Sequence, residues 1–314
     1  MTSYLLRRLG TVLVTLVGAS IVVFSVLNVL PGSPAAVILG QQATPRAVRQ
    51  LTAQLGLDKP LWRQYLDWAA GLLHGSLGVS YISHVAIGLE IGQALSVTGP
   101  LVGLAMLVGL AIALPVGVGG ALRHGRPSGS LLGAVGQVGM AVPTVVGGLL
   151  LIVAFALRTH LFPSGGFPGW SDPLQALRSL VLPALTLGVV EGAILSRYVR
   201  AAVLEQLRSD YLRTARAQGL RIGQALRRHG LRNAAIPLVT VLGLELASLV
   251  VGAIVVENVF DLPGIGTLLL DAVDNRDLLT VQDIAMLVAT TVLVLNAAVD
   301  ISYRLIDPRT RGRS

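Results

Sequence analysis

Six stretches of the chain are apolar for long enough to cross a bilayer, and polar, arginine-bearing segments separate them. They cover residues 9–30, 97–121, 131–157, 180–198, 235–256 and 284–306, against the ~20 residues that a crossing helix needs. The pattern predicts an all-α polytopic membrane protein of about six transmembrane helices. The fourth stretch is the weakest, being short and interrupted by Glu191. Pro115, Pro143 and Pro183 lie in or near these stretches, and membrane helices tolerate proline better than soluble ones do. Gly99/Gly103 and Gly133/Gly136/Gly139 read as packing positions, since small residues let helix backbones approach closely. The first stretch follows Arg7 and Arg8 as a signal peptide would. It is too long for a signal core, and Pro31-Gly32-Ser33-Pro34 follows in place of a small-x-small cleavage site, so it reads as a retained span.

The segments between these stretches predict further helices. In residues 31–96, Thr44 caps a short helix with Pro45 at its first position, and Gly56 closes it. Pro60 opens a second, whose Leu61, Tyr65, Trp68 and Leu72 recur at helical spacing before Gly75. Trp62 and Trp68 are candidates for the bilayer interface. In residues 209–233, Ser209 caps a helix that starts at Asp210 and stops at Gly219. A second helix runs over 221–229 and ends at Gly230, with Ile222, Ala225, Leu226 and His229 forming its stripe. Asn233 then caps the fifth span, which places Pro237 at its fourth position, where the N–H has no partner anyway. In residues 256–266, Pro263 fixes one dihedral while Gly264 and Gly266 allow positive φ, giving a constrained turn beside Glu257.

Composition supports the membrane reading. Apolar residues make up 53% of the 314 and charged residues 13%, about half the charge of a soluble domain, so lipid must cover much of the surface. The net charge of +8 is carried by arginine, since Lys59 is the one lysine. Both ends and the second and fourth loops are rich in arginine, while the loop after the fifth stretch carries Glu257, Asp261, Asp271, Asp274, Asp277 and Asp283. By the positive-inside rule both termini are cytoplasmic and residues 31–96 external. Cysteine is absent, which excludes disulfides and thiolate metal sites.

Catalytic and phosphate-binding motifs are missing. The lone lysine follows Asp58, so no P-loop is possible, and neither His-Glu-x-x-His nor Gly-x-Ser-x-Gly occurs. The five histidines are not at metal-ligand spacing. The arginine-rich segment lacks interleaved aromatics apart from Tyr198 and Tyr211, so no nucleic-acid partner is expected. Glu191 and Glu245 place carboxyls within spans. Such groups face the bundle interior, either as paired structural residues or as contacts for a cationic part of a cargo.

Asp210-Tyr211-Leu212-Arg213-Thr214-Ala215-Arg216-Ala217-Gln218-Gly219-Leu220 and His229-Gly230-Leu231-Arg232-Asn233-Ala234-Ala235-Ile236-Pro237 resemble the coupling loop of the dipeptide/oligopeptide/nickel permeases of bacterial ABC importers. The resemblance covers nearly the whole chain. Pro31-Gly32-Ser33-Pro34, Leu55-Gly56-Leu57-Asp58-Lys59-Pro60, Gly75-Ser76-Leu77-Gly78, Val256-Glu257-Asn258-Val259-Phe260, Pro263-Gly264-Ile265-Gly266 and Asp307-Pro308-Arg309 are similar to family motifs. The outer-loop motifs look like those of the first of the two permeases. Ser33 and Ser76 stand where the family usually has aspartate, and Gln218 where it has lysine.

The resemblance implies a single permease domain over 1–314, with a first span and external loop in 1–95, a core bundle in 96–306 and a coupling loop at 209–233. It implies a non-catalytic subunit in the bacterial cytoplasmic membrane, moving peptides or a related small solute. A second homologous permease, two ATP-binding subunits and an external substrate-binding protein would be its partners. ATP and magnesium would be bound by those partners, with no cofactor or metal in this chain. Asp210, Ala215, Ala217, Gly219, Leu220, Ile222, Leu226, Asn233 and Pro237 would form the coupling site. A soluble subunit would bury the Ile222/Ala225/Leu226 stripe there; the alternative is a solvated basic loop. Glu191 and Glu245 are pathway candidates, and Glu257, Pro263, Gly264 and Gly266 mark the outer turn. The competing function is a self-sufficient proton-coupled transporter working through Glu191 and Glu245, whose signature would be an inverted repeat.

Overall fold

The computed structural model describes residues 2–29 and 33–306, and among these every regular element is helical. Pro31-Gly32 and Asp307-Pro308-Arg309 lie outside the described residues. The helices are α1 Thr2–Val29, α2 Pro34–Leu39, α3 Pro45–Gln54, α4 Leu61–Leu73, α5 Ile87–Leu122, α6 Pro127–Ala141, α7 Thr144–Leu151, α8 Pro173–Leu207, α9 Asp210–Ala217, α10 Ile222–Ala225, α11 Leu231–Val259, α12 Ile265–Asp274 and α13 Leu278–Ile306. Five are long and apolar enough to cross a membrane: α1, α5, α8, α11 and α13.

The third predicted span is not one helix. It breaks between α6 and α7 at Val142 and Pro143, whose backbones are extended. Proline disfavours the helical conformation in the residue before it and donates no N–H. After α7 the chain widens into π turns over Ile152–Leu157. Pro100 and Pro115 in α5, and Pro183 in α8, sit inside continuous helices.

The chain forms two compact units, one of residues 1–97 with 263–294 and the other of 98–262 with 295–314. In the second unit α8 is the central helix: 72% of its apolar window is buried, against 11% for α1. This is the stretch that hydropathy ranks lowest. A helix wrapped by protein can carry Ser179, Thr186, Glu191 and Ser196 in its buried faces, which lipid-facing helices avoid. Close approach depends on glycine. A Cβ at Gly188 would lie 2.6 Å from Val108 Cβ, one at Gly192 2.8 Å from Ile112 Cβ, and one at Gly117 2.7 Å from the Ser196 carbonyl. Gly133, Gly136 and Gly139 pack on α8 as expected, whereas Gly99 and Gly103 meet no atom within 4 Å.

In the first unit, Thr44 Oγ1 accepts from the Ala47 N–H and caps α3 behind Pro45. Tyr65, Trp68 and Leu72 of the predicted α4 stripe pack with α1, while Leu61 is exposed: Trp68 stacks on Phe24 at 6.1 Å between centroids, and Tyr65 meets Phe24 edge-on at 5.4 Å. Trp68 is therefore buried and unavailable to the bilayer interface; Trp62 is 63% exposed. The short helix α2, capped by Ser33, and the ten-residue α12 are additional to the helices that the sequence pattern predicts.

Candidate coupling site and buried carboxyls

The segment after α8 is a helical knuckle with a buried base and an exposed rim. Ser209 Oγ donates to the Gln206 carbonyl at 2.6 Å and so does not cap α9; Asp210 alone complements the helix start. Gly219 reverses the chain with φ +93°, a conformation that disfavours any side chain. Arg221 N–H donates to Gln224 Oε1 at the start of α10. The chain then passes through a π turn, Leu226–Gly230, directly into α11.

This continuity overturns two expectations. Gly230 closes nothing, because its φ of −95° and ψ of −36° keep it helical. Asn233 is the third residue of α11 and not its cap; its Nδ2 donates to Tyr211 Oη at 3.2 Å, and Tyr211 in turn donates to Gln206. Pro237 is consequently the seventh residue of α11.

The apolar stripe divides between base and rim. Leu212, Ala215, Ala225 and Leu226 are at most 6% exposed and pack with Leu195, Val199, Val203 and Ala234 on α8 and α11. Ala215 and Leu226 therefore cannot be touched by a partner: short helices folded back on two long ones spend their apolar faces internally. Asp210, Ala217, Gly219 and Ile222 remain on the exposed rim, and Leu220 is half-buried against the core. Among the charged groups there, Arg213 pairs loosely with Asp210 at 3.5 Å, both well exposed.

The two carboxyls in spans differ. Glu191 is 4% exposed, and its Oε1 has no hydrogen-bond partner among the described residues. It packs where α5 is bare: a Cβ at Gly109 would lie 3.0 Å from Glu191 Cγ. Glu245 on α11 is half-buried, within Coulombic range of both Glu191 and Arg197. Both therefore face the interior of their unit.

The turn at residues 256–266 is built otherwise than its glycines predict. Glu257 belongs to α11, fully buried, and accepts from Thr98 Oγ1 at 2.6 Å. The positive φ is at Asp261 (+50°); Gly264 is near-extended and Gly266 is helical. Leu262 N–H closes the turn onto the Glu257 carbonyl at 2.9 Å. Pro263 is exposed, and Gly264 and Gly266 are buried.

Two of the acids expected on a solvated outer loop are likewise buried. Asp277 accepts from Ser80 Oγ and Thr280 Oγ1, and Asp283 accepts from Trp68 Nε1 at 2.8 Å. The Ser80 and Trp68 contacts are invisible from the sequence, since those partners lie 197 and 215 residues away. Burial, helped by the Asp277 and Asp283 carboxylates, raises the pKa of Tyr81 above the ordinary tyrosine range. On the surface, the hydrogen bond from Lys59 holds Asp67 below its usual range. No group of His, Asp and Glu among the described residues has metal-site geometry.

Residues 106–312 match the family model of binding-protein-dependent transport system inner membrane components, and residues 1–98 match that family's N-terminal region model. The dipeptide transport system permease protein DppB of Escherichia coli strain K12 is 35% identical over 338 aligned residues, covering 100% of both chains. The di/tripeptide transport system permease protein DppB of Pseudomonas aeruginosa is 37% identical, covering 99% of each. The glutathione transport system permease protein GsiC of E. coli O6:H1 is 34% identical, covering 99% of each. A solved chain from the MetNI methionine ABC transporter in inward-facing conformations matches with a TM-score of 0.56 at 18% identity, covering 70% of this chain and 97% of that one.

Proposed function

Because this chain belongs to the inner-membrane components of binding-protein-dependent transport systems, the permease subunits of ABC importers, we propose that it lines a translocation pathway for short peptides. The observation that carries the cargo class is 37% identity to a di/tripeptide permease across 99% of both chains. The glutathione permease, at 34%, keeps the class at small peptides with a free α-ammonium rather than one dipeptide. The relatives' names lend no support to a self-sufficient proton-coupled transporter.

We further infer the assembly and its orientation. The pathway forms with a second homologous permease; two ATPase subunits sit on the cytoplasmic face and a substrate-binding protein on the outer face. Both termini are placed in the cytoplasm on the strength of the arginine distribution. The exposed rim of the knuckle, Asp210, Ala217, Gly219 and Ile222, receives an ATPase subunit. Its buried base, continuous with α8 and α11 through Leu226 and Ala234, transmits the load, because packed cores transmit displacement rather than absorb it. ATP-driven closure then rocks the helices between outward- and inward-open states. Glu191 and Glu245 would meet the cationic end of the cargo only if the unit opens beside α8.

The test is uptake of labelled di- and tripeptides by cells lacking other peptide importers and expressing this chain with its co-encoded subunits. Uptake should require ATP and fail for N-acetylated competitors. An assembled complex that hydrolyses ATP but moves none of these peptides would refute the cargo assignment.

A further inference from the structure

Between α5, α6 and α8 lies a small cavity of about 70 Å³. Its polar lining is Gln137, Ser196, Arg197 and Arg200, and Gly133 and Gly136 form its α6 wall. Gly133 and Gly120 make room for Arg200: a Cβ at Gly133 would lie 3.0 Å from Arg200 Nη1, and one at Gly120 on α5 3.5 Å from Arg200 Cδ. The Nε–H of Arg200 is buried and has no acceptor among the described residues. Ser196 Oγ is already committed to the Ala193 carbonyl at 2.8 Å. No carboxylate lines the cavity; Glu245 lies within Coulombic range of Arg197. A buried N–H without an acceptor is costly; Arg200 is otherwise half-buried and Arg197 exposed, and two arginines one turn apart at a cavity that no acid lines favour an anion.

We propose that this cavity holds the phosphate of an anionic phospholipid headgroup, bound by Arg200 and Arg197 with the Gln137 amide as a neutral donor. The surroundings favour a lipid over free phosphate. Val116, Leu132 and Ala193 complete the lining, and Leu131, beside Leu132 on α6, is 67% exposed, offering an acyl chain an apolar track. Both arginines lie on α8 within three turns of its C-terminal end at Leu207, on the arginine-rich side of the chain. Basic pockets between helices at that level are suited to headgroups. A headgroup there ties α6, the first half of the broken span, to the end of α8 that carries the knuckle.

Native mass spectrometry of the full chain, extracted with its co-purifying subunits, tests this. The probes are phosphatidylglycerol, phosphatidylcholine and inorganic phosphate. Wild type should retain phosphatidylglycerol in preference to phosphatidylcholine. Arg200→Gln should lower that retention by about tenfold, the loss of one charge-assisted bond. Gln137→Glu should do the same by giving the arginines an internal partner, and it decides the matter if Arg200→Gln does not assemble. Arg49→Gln, which removes an exposed charge elsewhere, should retain the lipid. Equal retention in wild type and Gln137→Glu would overturn the site. Displacement of the lipid by equimolar inorganic phosphate, or retention of phosphatidylcholine as well as phosphatidylglycerol, would overturn the headgroup assignment.

Discussion

Ile222 and Leu226 lie one helical turn apart on the same stripe, and the structure assigns them opposite consequences. Leu226 is 2% exposed and packs among Leu212, Ala215 and Ala234. Truncating a buried leucine to alanine costs about 2–5 kcal/mol, so Leu226→Ala should loosen the knuckle from α8 and α11 and lower the thermal stability of the permease itself. Ile222 is 39% exposed, and Ile222→Ala should cost that stability less, about 1–2 kcal/mol for the part already buried. Full burial of an isoleucine side chain is worth about 1.5–3 kcal/mol, so the part still exposed leaves about 0.6–1.2 kcal/mol for a partner to gain. That corresponds to a three- to eightfold weaker Kd for the ATPase subunit in Ile222→Ala, by about 1.4 kcal/mol per tenfold. The assay is titration of ATPase subunits onto the permease pair in nanodiscs, with thermal unfolding of the pair alone as the second axis. If Ile222→Ala leaves the Kd unchanged, or if Leu226→Ala leaves the unfolding temperature unchanged, the division into rim and base is wrong.

Gly219→Val should damage the knuckle more than Gly219→Asn does, because asparagine tolerates positive φ and a β-branched residue does not; ATPase co-purification ranks the two, and equal yields would remove the turn from the account. Glu191→Gln with Glu245→Gln should leave assembly intact while lowering uptake of peptides with a free ammonium, measured against N-acetylated ones; unchanged uptake leaves both carboxyls purely structural. Cysteine at Ser33 should react with an impermeant reagent on intact cells and cysteine at exposed Ser128 should not; the reverse pattern refutes the orientation. Acidification should release the Lys59–Asp67 pair only below the ordinary carboxylate range: the lowered Asp67 pKa means its contribution is complete above that range and lost as pH falls through the lowered value. The pair is exposed, so peptide uptake should not follow this titration, and a match between the two curves would give the pair a role it lacks here.

The elements legible in the sequence are those specified by neighbours along the chain. Thr44-Pro45 opens α3, most of the α4 stripe meets α1, and Gly219 turns the chain two residues after α9 ends at Ala217. The misplacements share a cause. Asn233 and Gly230 have the composition of helix boundaries, yet the π turn at Leu226–Gly230 carries the helix through them. Pro143 and Pro183 are the same residue type with opposite outcomes: one breaks a span, and the other sits within the central helix. Tertiary surroundings decide which, since neighbouring helices can accommodate the missing N–H.

Hydropathy ranks helices by the lipid they face, and for that reason it undervalues the helix on which the core is built. α8 combines the greatest burial of any candidate span with Glu191, Ser196 and Arg200, each aimed at protein or at a cavity rather than at hydrocarbon. The same burial explains why the apolar stripe over Ile222, Ala225 and Leu226 divides in two. Periodicity identifies an apolar face but does not say whether a partner or the chain itself covers it. Here α8 and α11 cover Ala225 and Leu226 and leave Ile222 and Ala217 on the rim. A coupling element needs both halves: an exposed rim alone would slide under load, and a buried base alone would offer nothing to push against.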